Sequence, residues 1–123
     1  WDVKDNEKNM SLAETVDLID KSVQESIDIH KNADVEVGSF LSSGVDSSYV
    51  ATVLRPNKTY SIGFGDKTFN ESVEAKALTD MIGLKNESRV IEGEESFMNF
   101  PLIQYHLDEP DSNPSCVPLF FLS

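Results

Sequence analysis

Four serines, a glycine and an aspartate fall within seven residues, Ser42-Ser43-Gly44-Val45-Asp46-Ser47-Ser48. The apolar run from Val35 to Leu41 precedes them and reads as a buried strand. Tyr49 to Leu54 follows and reads as the start of a helix. A strand that ends in a small-residue turn and opens a helix makes a phosphate site. Its backbone N–H groups point inward, and the helix N-terminus adds partial positive charge. Serine hydroxyls supply further donors, and the Asp46 carboxylate can hold Mg²⁺ against phosphate oxygens. The structural alternative is a serine-rich turn with no ligand.

Two familiar phosphate loops are excluded. There is no lysine for a Walker loop, and Gly44 alone does not make a dinucleotide fingerprint. Residues 42–48 instead resemble the Ser-Gly-Gly-x-Asp-Ser signature of the ATP pyrophosphatase (PP-loop) superfamily. Ser42, Gly44, Asp46 and Ser47 match it, Val45 fills the free position, and Ser43 replaces the first glycine. Serine is strained at that position if the backbone there needs positive φ. It crowds the ligand, or adds a donor, if the backbone only approaches phosphate closely.

The surrounding elements are those such a loop needs. A capping box, Ser11 with Glu14, opens a helix to His30, with Leu12, Val16, Ile19, Val23 and Ile27 on one face. This helix is expected to pack on a sheet. His30 suits the helix C-terminus and has no evident metal partner. After the loop, the second helix ends near Arg55-Pro56. Lys58 to Phe64 is the second strand, and Gly63 and Gly65 allow close backbone approach to a planar group. Asn70 caps a helix from Glu71 to Ile82, which Gly83 stops. Asn86 to Ile91 is a third strand. Glu94 to Leu107 reads as a helix that Pro101 kinks or divides. Asp108-Glu109-Pro110 opens an acidic, proline-punctuated loop, and the apolar end from Pro118 reads as a helix start.

Helices alternating with strands imply an α/β fold, a parallel twisted sheet with helices on both faces. Ligands bind such sheets beyond the carboxyl ends of the strands. The loop at Ser42 and the strand end Ile62-Gly63-Phe64 are two such ends, neighbours under a right-handed crossover. The first suits phosphates and the second an adenine edge.

Composition sets the bounds. The chain has 123 residues and a formal net charge of −12. That is one domain at most, with a charge that argues against nucleic acid and anionic membranes. An anionic nucleotide would need Mg²⁺ and local donors to overcome it. The single cysteine, Cys116, excludes an internal disulfide and fits a reducing cytoplasm. No stretch is long and apolar enough for a membrane span. Residues 1–10 are polar and read as a linker or cut edge, and the apolar C-terminal end suggests a chain truncated there too.

Three segments together resemble the synthetase domain of glutamine-dependent asparagine synthetases. They are Phe40 to Ser48, Tyr60 to Phe64 with the helix Asn70 to Gly83 behind it, and Leu107-Asp108-Glu109-Pro110 running on to Pro118. The resemblance implies an adenine nucleotide alpha hydrolase-like (PP-loop) fold, with residues 11–123 as the N-terminal part of the ATP-binding domain. It implies ATP and aspartate as substrates, Mg²⁺ as cofactor, a β-aspartyl-AMP intermediate, and attack by ammonia to give asparagine.

By position, Ser42, Gly44, Asp46, Ser47 and Ser48 would cradle pyrophosphate, with Asp46 on Mg²⁺, and Ser43 and Val45 would complete the nucleotide-binding loop. Leu41, Ile62 and Gly63 would line the adenine and ribose side. Asp108 and Glu109 are the candidates for the acid substrate, against the alternative of a solvated acidic turn. The resemblance also places a glutaminase domain before Trp1 and a second phosphate- and metal-binding segment after Ser123, so this stretch alone is expected to bind nucleotide weakly and not to turn over. Alternatives are another PP-loop synthetase, such as β-lactam synthetase or a GMP- or NAD-synthetase-like enzyme, and a non-catalytic nucleotide-binding or interaction domain.

Overall fold

The first helix, α1 (Leu12–His30), starts where its capping box dictates. The Glu14 N–H donates to Ser11 Oγ at 3.3 Å, and Glu14 Oε2 accepts from the Ser11 N–H at 2.8 Å. Two otherwise orphaned donors are satisfied reciprocally. A computed structural model describes residues 9–65 and 70–123. Most of the expected N-terminal linker lies outside the described residues. The chain falls into two compact units, Trp1–Asn32 and Ala33–Ser123, and α1 belongs to the first.

The second unit runs β1 (Gly38–Phe40), α2 (Val45–Leu54), β2 (Lys58–Phe64), α3 (Ser72–Ile82), β3 (Asn86–Ile91), α4 (Gly93–His106), α5 (Cys116–Leu122). The three strands are parallel and lie in the order β1-β2-β3. Gly38 to Phe40 pair with Lys58 to Tyr60, and Thr59 to Phe64 pair with Asn86 to Ile91. The middle strand alternates in burial along its whole length, with Thr59, Ser61 and Gly63 buried. Side chains of a strand point to opposite faces in turn. Gly63 backs onto Asn70 and Ser72 at the start of α3, so the buried set faces α3. Tyr60 and Ile62 take the other face, where they border a hollow shared with Phe121 and Leu122 of α5. Helices therefore cover both faces, as expected of a parallel sheet.

The α3 face of the sheet is made of small and hydroxylated residues. Thr59, Ser61 and Thr79 are fully or almost fully buried, beside Ala75. Their hydroxyls need partners there. Thr59 Oγ1 lies 3.1 Å from Lys85 O and 2.9 Å from the Asn86 amide, which Ser61 Oγ also reaches at 3.2 Å. The Thr59 hydroxyl has one proton and cannot donate to both acceptors. Turning the Asn86 amide over, so that its NH₂ donates to Thr59 and Ser61, satisfies both hydroxyls and employs the buried Nδ2 that is otherwise unpartnered. Leu41, Ala51 and Ala75, with Leu78 against them, form the apolar core between the end of β1, α2 and α3.

Four boundaries differ from the sequence reading. The first strand is Gly38–Phe40 rather than Val35 to Leu41, although the Leu41 N–H still donates to Tyr60 O at 2.8 Å. The second helix begins at Val45, four residues before Tyr49, because extended Gly44 serves as its N-cap. The third begins at Ser72, yet Asn70 still does the capping: its Oδ1 accepts from the Ser72 N–H at 3.2 Å and from the Ser72 hydroxyl. Gly83, at φ 71°, ends that helix in the left-handed conformation glycine favours. Pro101 does not divide α4, which runs unbroken from Gly93 to His106. The carbonyl it deprives of a donor belongs to Phe97, whose residue is 79% exposed, so water can serve it.

Candidate functional site

The turn from β1 to α2 is held by its own serines. Ser47 Oγ accepts the Ser42 N–H at 3.2 Å and sits 2.8 Å from Ser42 Oγ. It also donates toward Gly44 O at 3.1 Å, while the Gly44 N–H donates to Ser42 Oγ at 3.2 Å. These contacts close the turn from Ser42 to Ser47. Val45, Asp46, Ser47 and Ser48 are already helical, forming the first turn of α2. Gly44 at the N-cap has no side chain to bond the first-turn N–H groups, and no side-chain cap is present. An uncapped helix start leaves donors and partial positive charge for an anion.

Positive φ outside glycine occurs, among the described residues, at Arg55 and Asp108. Ser43 is therefore unstrained, and the loop does not need glycine's conformational freedom at that position. The Ser43 N–H donates to Glu71 Oε2 at 3.2 Å, across from the start of α3.

A cavity of about 730 Å³ opens beside this turn. That is within the range of small-molecule sites. Of the expected site residues, Leu41, Ser42, Ser43, Ser47 and Ile62 line it. Phe40 and Phe64 add apolar wall, and Asn70, Glu71 and Glu74 add a polar one. Gly63 stands behind that wall rather than in the lining. A Cβ there would collide with Asn70 Oδ1 and lie 2.9 Å from Ser72 Oγ. Gly44, Val45, Asp46 and Ser48 form the rest of the turn outside the lining, and Asp46 is exposed. Asp108 and Glu109 are exposed in the turn after α4, with Asp108 at φ 60°, and do not line the cavity.

Sequence reasoning missed the other wall. Pro114, Ser115, Pro118, Leu119 and Leu122 close the cavity from the C-terminal loop and α5. The apolar Pro118 to Leu122 stretch was the available signal, but nothing local says which face of the sheet it meets. Glu71 and Glu74 were also missed, hidden among 22 acidic residues. Cys116 is a buried free thiol at the start of α5.

The donor set fits a nucleotide, with an apolar wall for a base and N–H and hydroxyl donors for phosphate. It fits Mg²⁺ as well, since that ion needs only one or two protein carboxylates when phosphates complete its shell. Among the described residues no cluster of three or more His, Cys, Asp or Glu could hold a metal alone. Nor is any described helix long and apolar enough to cross a membrane.

A family model described as asparagine synthase matches residues 18–123. The chain is 39% identical over 106 residues to "Asparagine synthetase [glutamine-hydrolyzing] 1" of Bacillus subtilis (strain 168), covering 83% of this chain and 17% of that protein. It is 37% identical over 111 residues to a "Putative asparagine synthetase [glutamine-hydrolyzing]" of Mycobacterium bovis, covering 87% of this chain and 17% of that one. A protein of the same description from Mycobacterium tuberculosis (strain H37Rv) matches to the same extent. The chain thus spans about a sixth of the length of these relatives.

Proposed function

The chain belongs to the asparagine synthase family, and on that premise we propose that it carries the nucleotide-binding part of an ATP-dependent, asparagine-forming ligase. The observation that carries this reading is the uncapped start of α2, held by the Ser42–Ser47 pair beside a cavity of about 730 Å³. In this reading Ser42, Ser43, Gly44, Ser47 and Ser48 cradle the pyrophosphate end of ATP. Leu41, Ile62 and the backbone at Gly63 flank its adenosine end. Asp46 holds Mg²⁺, which would supply the positive charge that a leaving pyrophosphate needs.

The loop chemistry suits cleavage between the α- and β-phosphates. Donors gathered on the leaving pyrophosphate, rather than on a transferred γ-phosphoryl group, favour adenylation of an acid. Aspartate is the acid, its side-chain carboxylate attacking the α-phosphate, with Asp108 and Glu109 assigned to the acid-substrate side outside the nucleotide cavity. Glutamine-derived ammonia, supplied by a glutaminase domain of the same polypeptide, is the acceptor. Ser43 does not take positive φ, so the serine that replaces the first glycine adds no backbone strain to the loop.

Calorimetric titration of ATP, with and without Mg²⁺, into the protein and into Asp46→Ala tests this reading. Mg²⁺-dependent binding that is lost in the variant is the expected result. Aspartate-dependent release of pyrophosphate by the full-length protein tests the acid. Absence of ATP binding both by this chain and by the full-length protein would overturn the nucleotide site.

A further inference from the structure

The Ser43 amide lies in the turn that the proposed function assigns to phosphate, and its hydrogen bond goes to a carboxylate. Glu71 Oε2 accepts from it at 3.2 Å, reaching across 28 positions in the chain. Carboxylate and phosphate oxygens are the same kind of acceptor, and both favour a backbone N–H beside a helix N-terminus. The Glu71 side chain makes no capping hydrogen bond to its own helix. Glu71 is the N-cap residue of α3, but it makes no side-chain cap bond, and Asn70 performs that role. Glu74, one turn further along α3, lines the same cavity and adds a second negative charge.

We infer that Glu71 is an internal competitor of the phosphate loop, a positioning residue whose carboxylate holds the Ser43 N–H until phosphate takes it. The inference rests on the nucleotide reading of this loop. Without a divalent cation, an incoming pyrophosphate must displace Glu71 and stand beside both it and Glu74. With the cation bound, the added positive charge lowers that cost, so Glu71 makes phosphate binding cation-dependent. Orientation of the empty loop is the other consequence, since Ser43 is held in place before ligand arrives.

The test is calorimetric titration of inorganic pyrophosphate without Mg²⁺, and of adenosine as a phosphate-free control, into the protein, Glu71→Gln and Glu71→Ala. Glu71 is exposed and its side chain caps nothing, so both variants are expected to fold, which thermal melting checks. Loss of the competitor should tighten pyrophosphate binding about tenfold, the scale of one charge-assisted hydrogen bond. Adenosine affinity should not change, and the advantage over the parent should shrink when Mg²⁺ is added. Unchanged or weaker pyrophosphate binding in both variants, with measurable binding by the parent, overturns the role of Glu71 and leaves the nucleotide site standing. An equal gain for adenosine would mark a general opening of the cavity and overturns it too. Failure of every form to bind either probe overturns the nucleotide site itself and Glu71's role with it.

Discussion

Ser42 and Ser47 face each other across the strand-to-helix turn with their hydroxyl oxygens 2.8 Å apart. Ser47 also accepts the Ser42 N–H at 3.2 Å, so one side chain fixes both the backbone and the hydroxyl of the residue that starts the loop. Ser47→Ala removes both contacts. A net hydrogen bond contributes about 0.5–1.5 kcal/mol, so the variant should lose roughly 1–2 kcal/mol in denaturant unfolding. ATP affinity should fall about tenfold with it, because the donors are no longer held in place. Full affinity in the alanine variant would show that the loop is shaped by something else.

The replaced glycine should matter little. Ser43 does not occupy left-handed backbone, so Ser43→Gly relieves no strain. It adds freedom to the unfolded chain and should leave stability unchanged or lower by up to about 1 kcal/mol. ATP affinity measured by titration should stay within about threefold. A large gain would mean that the serine side chain crowds the ligand.

Gly63 is intolerant of a side chain for a reason visible only in the packed molecule. An added Cβ would collide with Asn70 Oδ1 and approach Ser72 Oγ to 2.9 Å. Those are the groups that start α3, so Gly63→Ala should shift the N-terminus of α3 and the Glu71 and Glu74 carboxylates that follow. Overpacking of this kind costs about 1–3 kcal/mol, which chemical denaturation would read. A variant as stable as the parent would show that Asn70 can move freely.

The capping box of α1 has a pH dependence of known sign. The backbone hydrogen bond from Ser11, followed by the one from its hydroxyl, holds the Glu14 carboxyl below its ordinary value of 4.5. The contribution is therefore present above about pH 4.5 and is lost as pH falls through the lowered value. An acid titration of the Ser11 amide proton by NMR should show a midpoint below 4.5, and Glu14→Gln should abolish that transition. A midpoint at or above 4.5 contradicts the reciprocal cap.

Much of this protein was legible along the chain because its signals are local. The spans Lys58–Phe64 of β2 and Asn86–Ile91 of β3 match the sequence reading residue for residue. The Ser11–Glu14 cap, the Gly83 stop and the order of loop serines are all set by neighbours a few residues apart. The start of α2 was misjudged because a strand-to-helix turn gives no periodicity to read, and only the extended backbone of Gly44 shows where the helix begins. Whether Pro101 divides its helix could not be read locally, because the penalty depends on whether the freed carbonyl can reach water.

By itself the sequence determined the residues of the loop, the alternation that demands a parallel sheet, and the family. Only the tertiary structure decided which residues share the cavity with the loop. Glu71 stands 28 positions from Ser43, and the α5 residues Pro118, Leu119 and Leu122 lie further still along the chain. Their meeting depends on strand order and on which face each helix covers. Those are set by burying both faces of one sheet, which is a property of the whole chain and of no segment within it.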